Sequence, residues 1–146
     1  MEAIRVIRNV RAVEPFALLF SDMLVAVLNG KDLREVCQEA ATRLGLGNLE
    51  QIVKSSRSDP MVACYIDSSF PALLFIVYKY ASDTETAILA NANAGGENVA
   101  RGSLLGALVG AAHGIKQFPQ WSHQLVGREE IMGEIEQLVG RAKEEL

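Results

Sequence analysis

Glu97 and Arg101 stand four residues apart behind a Gly95-Gly96 pair, with Asn98 between them. At that spacing a carboxylate and a guanidinium share one face of a helix. The two glycines permit a sharp bend into it, and Asn98 suits the N-cap position. The first N–H groups of a helix lack partners and attract anions. A cation in the first turn opposes the helix dipole by about 0.3–1 kcal/mol. Arg101 is therefore either the partner of Glu97, a pair worth about 0.2–0.5 kcal/mol, or a contact for a phosphate or carboxylate. Gly95, Gly96, Glu97, Asn98 and Arg101 are the candidate ligand-binding residues. No catalytic residue and no metal ligand is assigned. His113 and His123 have no acidic neighbours at ligand spacing and do not make a zinc site. Asp67-Ser68-Ser69 reads as a helix cap. No G-x-S-x-G, H-E-x-x-H or P-loop pattern is present.

The turn needs a rigid support, and the sequence after it is built on small residues. Gly102, Gly106, Gly110 and Gly114 recur every four positions, with Ser103, Ala107 and Ala111 as a second small row. Each interior glycine costs about 1 kcal/mol relative to alanine. The stripe predicts another backbone packed close along a helix from about 99 to 113. The remainder also reads as helical. Ala3, Val6, Ile7 and Val10 share a face over 3–12. Pro15 opens a nearly all-apolar helix to Leu28, expected to be buried on most sides and stopped by Asn29-Gly30. Asp32 and Glu35 form a capping-box pattern before the stripe Leu33, Val36, Cys37, Ala40, Ala41 and Leu44, which Gly45 ends. A short helix is expected at 49–53 and a loop at 54–67, broken by Pro60. Pro71 opens a helix to about Tyr80, although Phe75-Ile76-Val77-Tyr78 fits a strand equally well on propensity. Ser82 with Glu85 caps a helix to about Ala92. Residues 128–144 place Ile131, Met132, Ile135, Leu138, Val139 and Ala142 on one face. The expected architecture is all-α, a single multi-helix domain over residues 1–146.

The region from Ala90 onward resembles the ADP-ribosylglycohydrolase family, which includes a jellyfish crystallin. Its last metal-binding motif, A-x-N-x-G-G-D-x-D-[ST], is similar to Ala90-Asn91-Ala92-Asn93-Ala94-Gly95-Gly96-Glu97. The helix that follows it is similar to Gly106-Ala107-Leu108-Val109-Gly110-Ala111-Ala112-His113-Gly114, and Phe118-Pro119-Gln120-Trp121 stands for the family's tail element. Tyr65-Ile66-Asp67-Ser68-Ser69 fits the same order of elements. The resemblance implies an all-α fold like the family's C-terminal half. In the family the two aspartates and the following Thr or Ser ligate a pair of divalent metals. Those positions hold Glu97, Val99 and Ala100 here, and only the glutamate offers an oxygen to a hard cation. The chain contains no Gly-Asp and no Asp-Asp, so the family's G-D-x-x-G and Ser/Thr-Asp-Asp motifs are missing. The resemblance thus implies a degenerate metal site.

Composition narrows the classes. Hydrophobic residues are 49% of 146, and mean hydropathy is +0.15. That is enough for one buried core. A net charge of −4 and a pI near 5.2 argue against nucleic-acid binding through phosphate neutralisation. The richest apolar run, 16–28, falls short of the roughly 20 residues a membrane span needs. Cys37 and Cys64 read as buried thiols in a reducing, cytoplasmic setting. Arg5, Arg8 and Arg11 read as the outer face of a first helix and not as a transit peptide.

Three readings follow. The chain is a non-catalytic relative that binds an anionic or nucleotide-type ligand, or a protein partner, at the 95–101 turn. Alternatively, it is the C-terminal part of a metal-dependent ADP-ribosyl hydrolase, completed by another segment or chain and using a divalent ion such as magnesium to position water. As a third reading, it is a helical homo-oligomeric assembly module. The hydrophobic surplus favours a homodimer, with the glycine-stripe helix or the first two helices as its seam.

Overall fold

A computed structural model describes residues 11–62 and 64–144, with side chains placed as far as Arg141. Seven α-helices follow in order: α1 Glu14–Leu28, α2 Leu33–Arg43, α3 Leu49–Ser55, α4 Ile66–Lys79, α5 Thr84–Ala94, α6 Asn98–His113 and α7 Arg128–Glu144. Short 3-10 turns lie at Arg11–Val13, Ile115–Gln117 and Gln120–Gln124, and there is no strand among the described residues. The all-α expectation holds.

The helix that is buried all round is α4. Leu73, Leu74, Ile76 and Val77 are fully enclosed, and each such side chain contributes roughly 1.5–3 kcal/mol. A helix without a polar face needs cover on every side. Accordingly α4 packs on α2, α3, α5 and α6, while α1 packs on α2 and α6. This burial makes Phe75–Tyr78 helical despite its β propensity. By contrast, α1 buries only Leu19, Met23 and Val27, and its Leu18, Val25 and Leu28 face solvent. The expectation that α1 is enclosed on most sides is corrected: its apolar outer face lacks a partner within the described residues.

Local signals fix most boundaries. Asp32 Oδ1 accepts from the Arg34 and Glu35 amides at 2.9 and 3.2 Å, and α2 buries Leu33, Val36, Cys37, Ala40 and Ala41. Gly45, at φ +72°, ends it. Asn48 caps α3 through the Gln51 amide at 2.9 Å. Two starts differ from expectation. Helix α4 begins at Ile66, so Pro71 lies inside it. The Tyr65 carbonyl accepts from the amides of Ser68 and Ser69 at 3.1 and 2.8 Å, so Asp67-Ser68-Ser69 is a first turn, not a cap. Pro71 removes one backbone donor, and the burial of α4 outweighs that loss. The cap of α5 is Asp83, not Ser82. Its carboxylate accepts from the Thr86 amide at 3.0 Å and the Thr86 hydroxyl at 2.6 Å. Most of the helix predicted at 3–12 lies outside the described residues.

The two cysteines differ. Both thiols are free, Cys37 buried and Cys64 exposed, which corrects the expectation of two buried thiols. Burial, with a smaller contribution from the Asp32 charge, pushes the Cys37 thiol up to about 12. The thiolate is the reactive form. At pH 8 the folded chain should therefore take up a thiol reagent at Cys64 alone, and Cys37 should react only after denaturation. Equal labelling of both in the native state, read by mass spectrometry, would contradict this packing.

Helix α7 presents Ile131, Ile135, Leu138 and Val139 to solvent and makes no extensive contact with another element among the described residues. No helix among the described residues is long and apolar enough to cross a membrane.

Candidate functional site

The α5–α6 turn is built around Asn91, which sits 4% exposed in the last turn of α5. Its side-chain amide donates to the Asn98 carbonyl at 2.8 Å, and its Oδ1 accepts from Arg101 Nε at 2.6 Å. Arg101 Nη2 donates to the Gly95 carbonyl at 3.0 Å and, at a longer 3.4 Å, to the Asn91 carbonyl. Asn98 Nδ2 reaches back to the Ala92 carbonyl at 3.2 Å. One asparagine and one arginine thus tie the end of α5, the Gly-Gly bend and the start of α6 into one unit. Asn98 is the first helical residue of α6, and the N-cap position is Glu97, without a side-chain cap bond. The N-cap expectation for Asn98 is corrected, because its side chain is already engaged with α5.

The glycines divide the work differently from expectation. A Cβ at Gly102 would stand 2.9 Å from Asn91 Nδ2, and one at Gly110 would stand 3.3 Å from the Phe118 ring. Gly106 and Gly114 have nothing within 4 Å. Side chains, not a second backbone, fill against the stripe. The close backbone approach occurs at Gly96, where a Cβ would fall 2.1 Å from the Val62 carbonyl oxygen. That carbonyl accepts from the Glu97 amide at 3.1 Å. Gly95 and Gly96 both adopt positive φ, +71° and +64°, which glycine reaches without strain. Asp59 anchors the same loop to α4, accepting from Lys79 Nζ at 2.7 Å and the Tyr80 hydroxyl at 2.9 Å.

Arg101 is 1% exposed. Desolvation lowers its pKa, while the charge of Glu97 acts in the opposite direction. A guanidinium nevertheless stays protonated in a protein. Arg101 forms no ion pair with Glu97, and no carboxylate among the described residues pairs with it. Its Nη1 is buried without any hydrogen-bond partner. Arg101 and Glu97 line a cleft of about 240 Å³ together with Cys64, Ser69, Ala100 and Leu104. The structure therefore brings Glu97 and Arg101 to one wall, while Gly95, Gly96 and Asn98 shape the bend beside it.

Several residues here escaped the sequence reading. Asn91 is the brace, and its signal was a polar side chain seven residues before Asn98 on the inner face of α5. Cys64 and Ser69 join through tertiary packing and carry no local signal. His113 has a structural part: its Nδ1 lies 2.8 Å from the Thr84 hydroxyl, tying the end of α6 to the start of α5. Trp121 Nε1 donates to Glu85 at 3.0 Å, which docks the tail on α5.

A pair of divalent metals needs several oxygen donors converging on one point. Val99, which is 81% exposed, and Ala100 have none. No group of three or more His, Cys, Asp or Glu that could hold a metal occurs among the described residues. The donor set of this turn does not fit such a centre.

The family description ADP-ribosylglycohydrolase matches residues 11–145. No curated protein and no solved structure matches the chain. The family match runs from the 3-10 turn before α1 through α7, taking in every helix that builds the turn and its cleft, and the chain belongs to the ADP-ribosylglycohydrolase family.

Proposed function

We propose that this chain is a non-catalytic member of its family that holds an anionic group, a phosphate or a carboxylate, in the cleft beside Arg101. The observation that carries this is the unpartnered, buried Nη1 of a charged residue on the cleft wall. Buried charges are normally paired, because an isolated one is costly. Arg101 has three neutral acceptor contacts and no anion. A bound oxyanion supplies the missing charge and the missing acceptor together. The cleft lies below the roughly 300–1,000 Å³ of sites that enclose drug-sized ligands. It therefore takes a phosphorylated sugar or similar headgroup, with any larger remainder outside. Glu97 adds a negative charge at the rim and selects for ligands that also present a hydroxyl or amine donor.

Calorimetry with inorganic phosphate, ribose 5-phosphate, ADP-ribose and a small carboxylate separates the possible sources of the anion. Arg101→Met is expected to weaken binding by about 1.5–3 kcal/mol, the scale of a charge-assisted hydrogen bond, while the chain stays folded. Binding unchanged by that substitution, or no binding by any of the four, rules the reading out. The non-catalytic part rests on Val99 and Ala100. Hydrolysis of ADP-ribosyl-protein that chelator and Glu97→Ala both abolish would overturn it.

A further inference from the structure

We propose that α7 is the seam of a homodimer, in which two copies of this chain pair their last helices antiparallel. Ile131, Ile135 and Leu138 recur at spacings of four and three, the seam pattern of a coiled coil, with Met132 and Val139 beside them. Leu138 is 71% exposed, and Ile131, Ile135 and Val139 are also open to solvent. Helix α7 has no extensive contact with another element among the described residues. It also carries Gly133 and Gly140, each with nothing around the place of a Cβ, and interior glycine weakens a helix. Isolated helices shorter than about 12–15 residues are marginal in water even when alanine-rich, and α7, at 17 residues with two interior glycines, stands only a little beyond that limit. Something covers the stripe and holds the helix.

The charges identify the occupant. Glu134 and Arg141 lie seven residues apart and flank the seam on the same side. With two copies antiparallel and Ile135 opposite the partner's Leu138, Glu134 faces the partner's Arg141. Two-fold symmetry makes that ion pair twice. On the other flank Met132 meets the partner's Val139 and widens the apolar contact. A parallel pairing instead sets Glu134 beside the partner's Val139 and leaves both charges without an opposite. The helix is thus complementary to a reversed copy of itself. The proposal sets the seam on α7, in place of the glycine-stripe helix or the first two helices.

The test is sedimentation equilibrium of the full chain over the micromolar range, with far-UV circular dichroism to confirm helix content. A dimer is expected. Glu134→Arg and Arg141→Glu alone should each weaken it about tenfold or more, because each substitution sets like charges opposite one another. The combined swap, E134R with R141E, should restore wild-type affinity. Three results overturn the proposal: a monomer at every concentration, a dimer indifferent to both single reversals, or a combined swap as weak as either one. Restoration by the combined swap also guards against single variants that merely fold poorly.

Discussion

Gly96→Ala is expected to lower the stability of this domain by about 2–5 kcal/mol. Two independent costs add. A non-glycine residue at φ +64° costs roughly 1–2 kcal/mol. The new Cβ would also fall 2.1 Å from the Val62 carbonyl oxygen, and forcing extra volume into a packed site typically costs about 1–3 kcal/mol. The contact is backbone, so no side-chain rotation relieves it. Relief comes only by moving the loop, which breaks the Glu97 amide to Val62 carbonyl bond of 3.1 Å. Against a total stability of about 5–15 kcal/mol, the loss is large. It should lower Tm by roughly 4–20 °C, at about 2–4 °C per kcal/mol for a chain of this size. Gly106→Ala is the control, since nothing lies within 4 Å of that position. There the change should be neutral or stabilising by up to about 1 kcal/mol. Equal melting temperatures for the two variants would show that the Val62–Gly96 approach does not constrain the turn.

That contrast also shows how much of the site the sequence revealed. The Gly-Gly bend, Glu97 and Arg101 stood out because their types are unusual at a helix start. The fate of Arg101 did not, since spacing alone offered Glu97 as its partner. The structure gives it Asn91, ten residues back on another helix. Val62 was hidden for the same reason: a backbone carbonyl has no residue type, and its loop reaches the turn only through tertiary packing. The glycine stripe was legible as a close-packing signal but not as to what packs. Asn91 and Phe118 use two of its positions, Gly106 faces open space, and the close backbone approach falls at Gly96, in the bend before the helix.

The fold was more legible where local chemistry decides. Asp32 and Gly45 marked the ends of α2 because capping and positive φ are short-range effects. Pro71 misled because proline is favoured at helix starts, yet the demand to bury Phe70–Val77 extends α4 past it. Hydrophobicity identified α1 and α4 as apolar but could not say which is enclosed. That depends on how extensively each helix is packed: α4 packs broadly on four helices, α1 broadly on two, touching α4 only at its edge through Phe16 and Phe70.

The second large effect concerns Asn91. Asn91→Leu keeps an apolar-compatible size but removes the acceptor of Arg101 Nε at 2.6 Å and the donor to the Asn98 carbonyl at 2.8 Å. The guanidinium stays charged and buried, now with Nε and Nη1 both unpartnered. Stranding a buried charge in this way costs about 3–5 kcal/mol, measurable by urea unfolding. Arg101→Met in that background removes the stranded charge while retaining most of the side-chain stem. Replacing both members of a buried polar pair by apolar groups can be nearly neutral. The double variant should therefore be more stable than Asn91→Leu alone, and the two substitutions should depart from additivity by about 0.5–3 kcal/mol, the range for residues in direct contact. Simple addition of the two single losses would mean that Arg101 is no burden to the fold and needs no anion beside it. Phosphate supplies the complementary readout. It should raise the melting temperature of chains that keep Arg101, since a ligand stabilises only the state that binds it, and should leave both Arg101→Met variants unchanged.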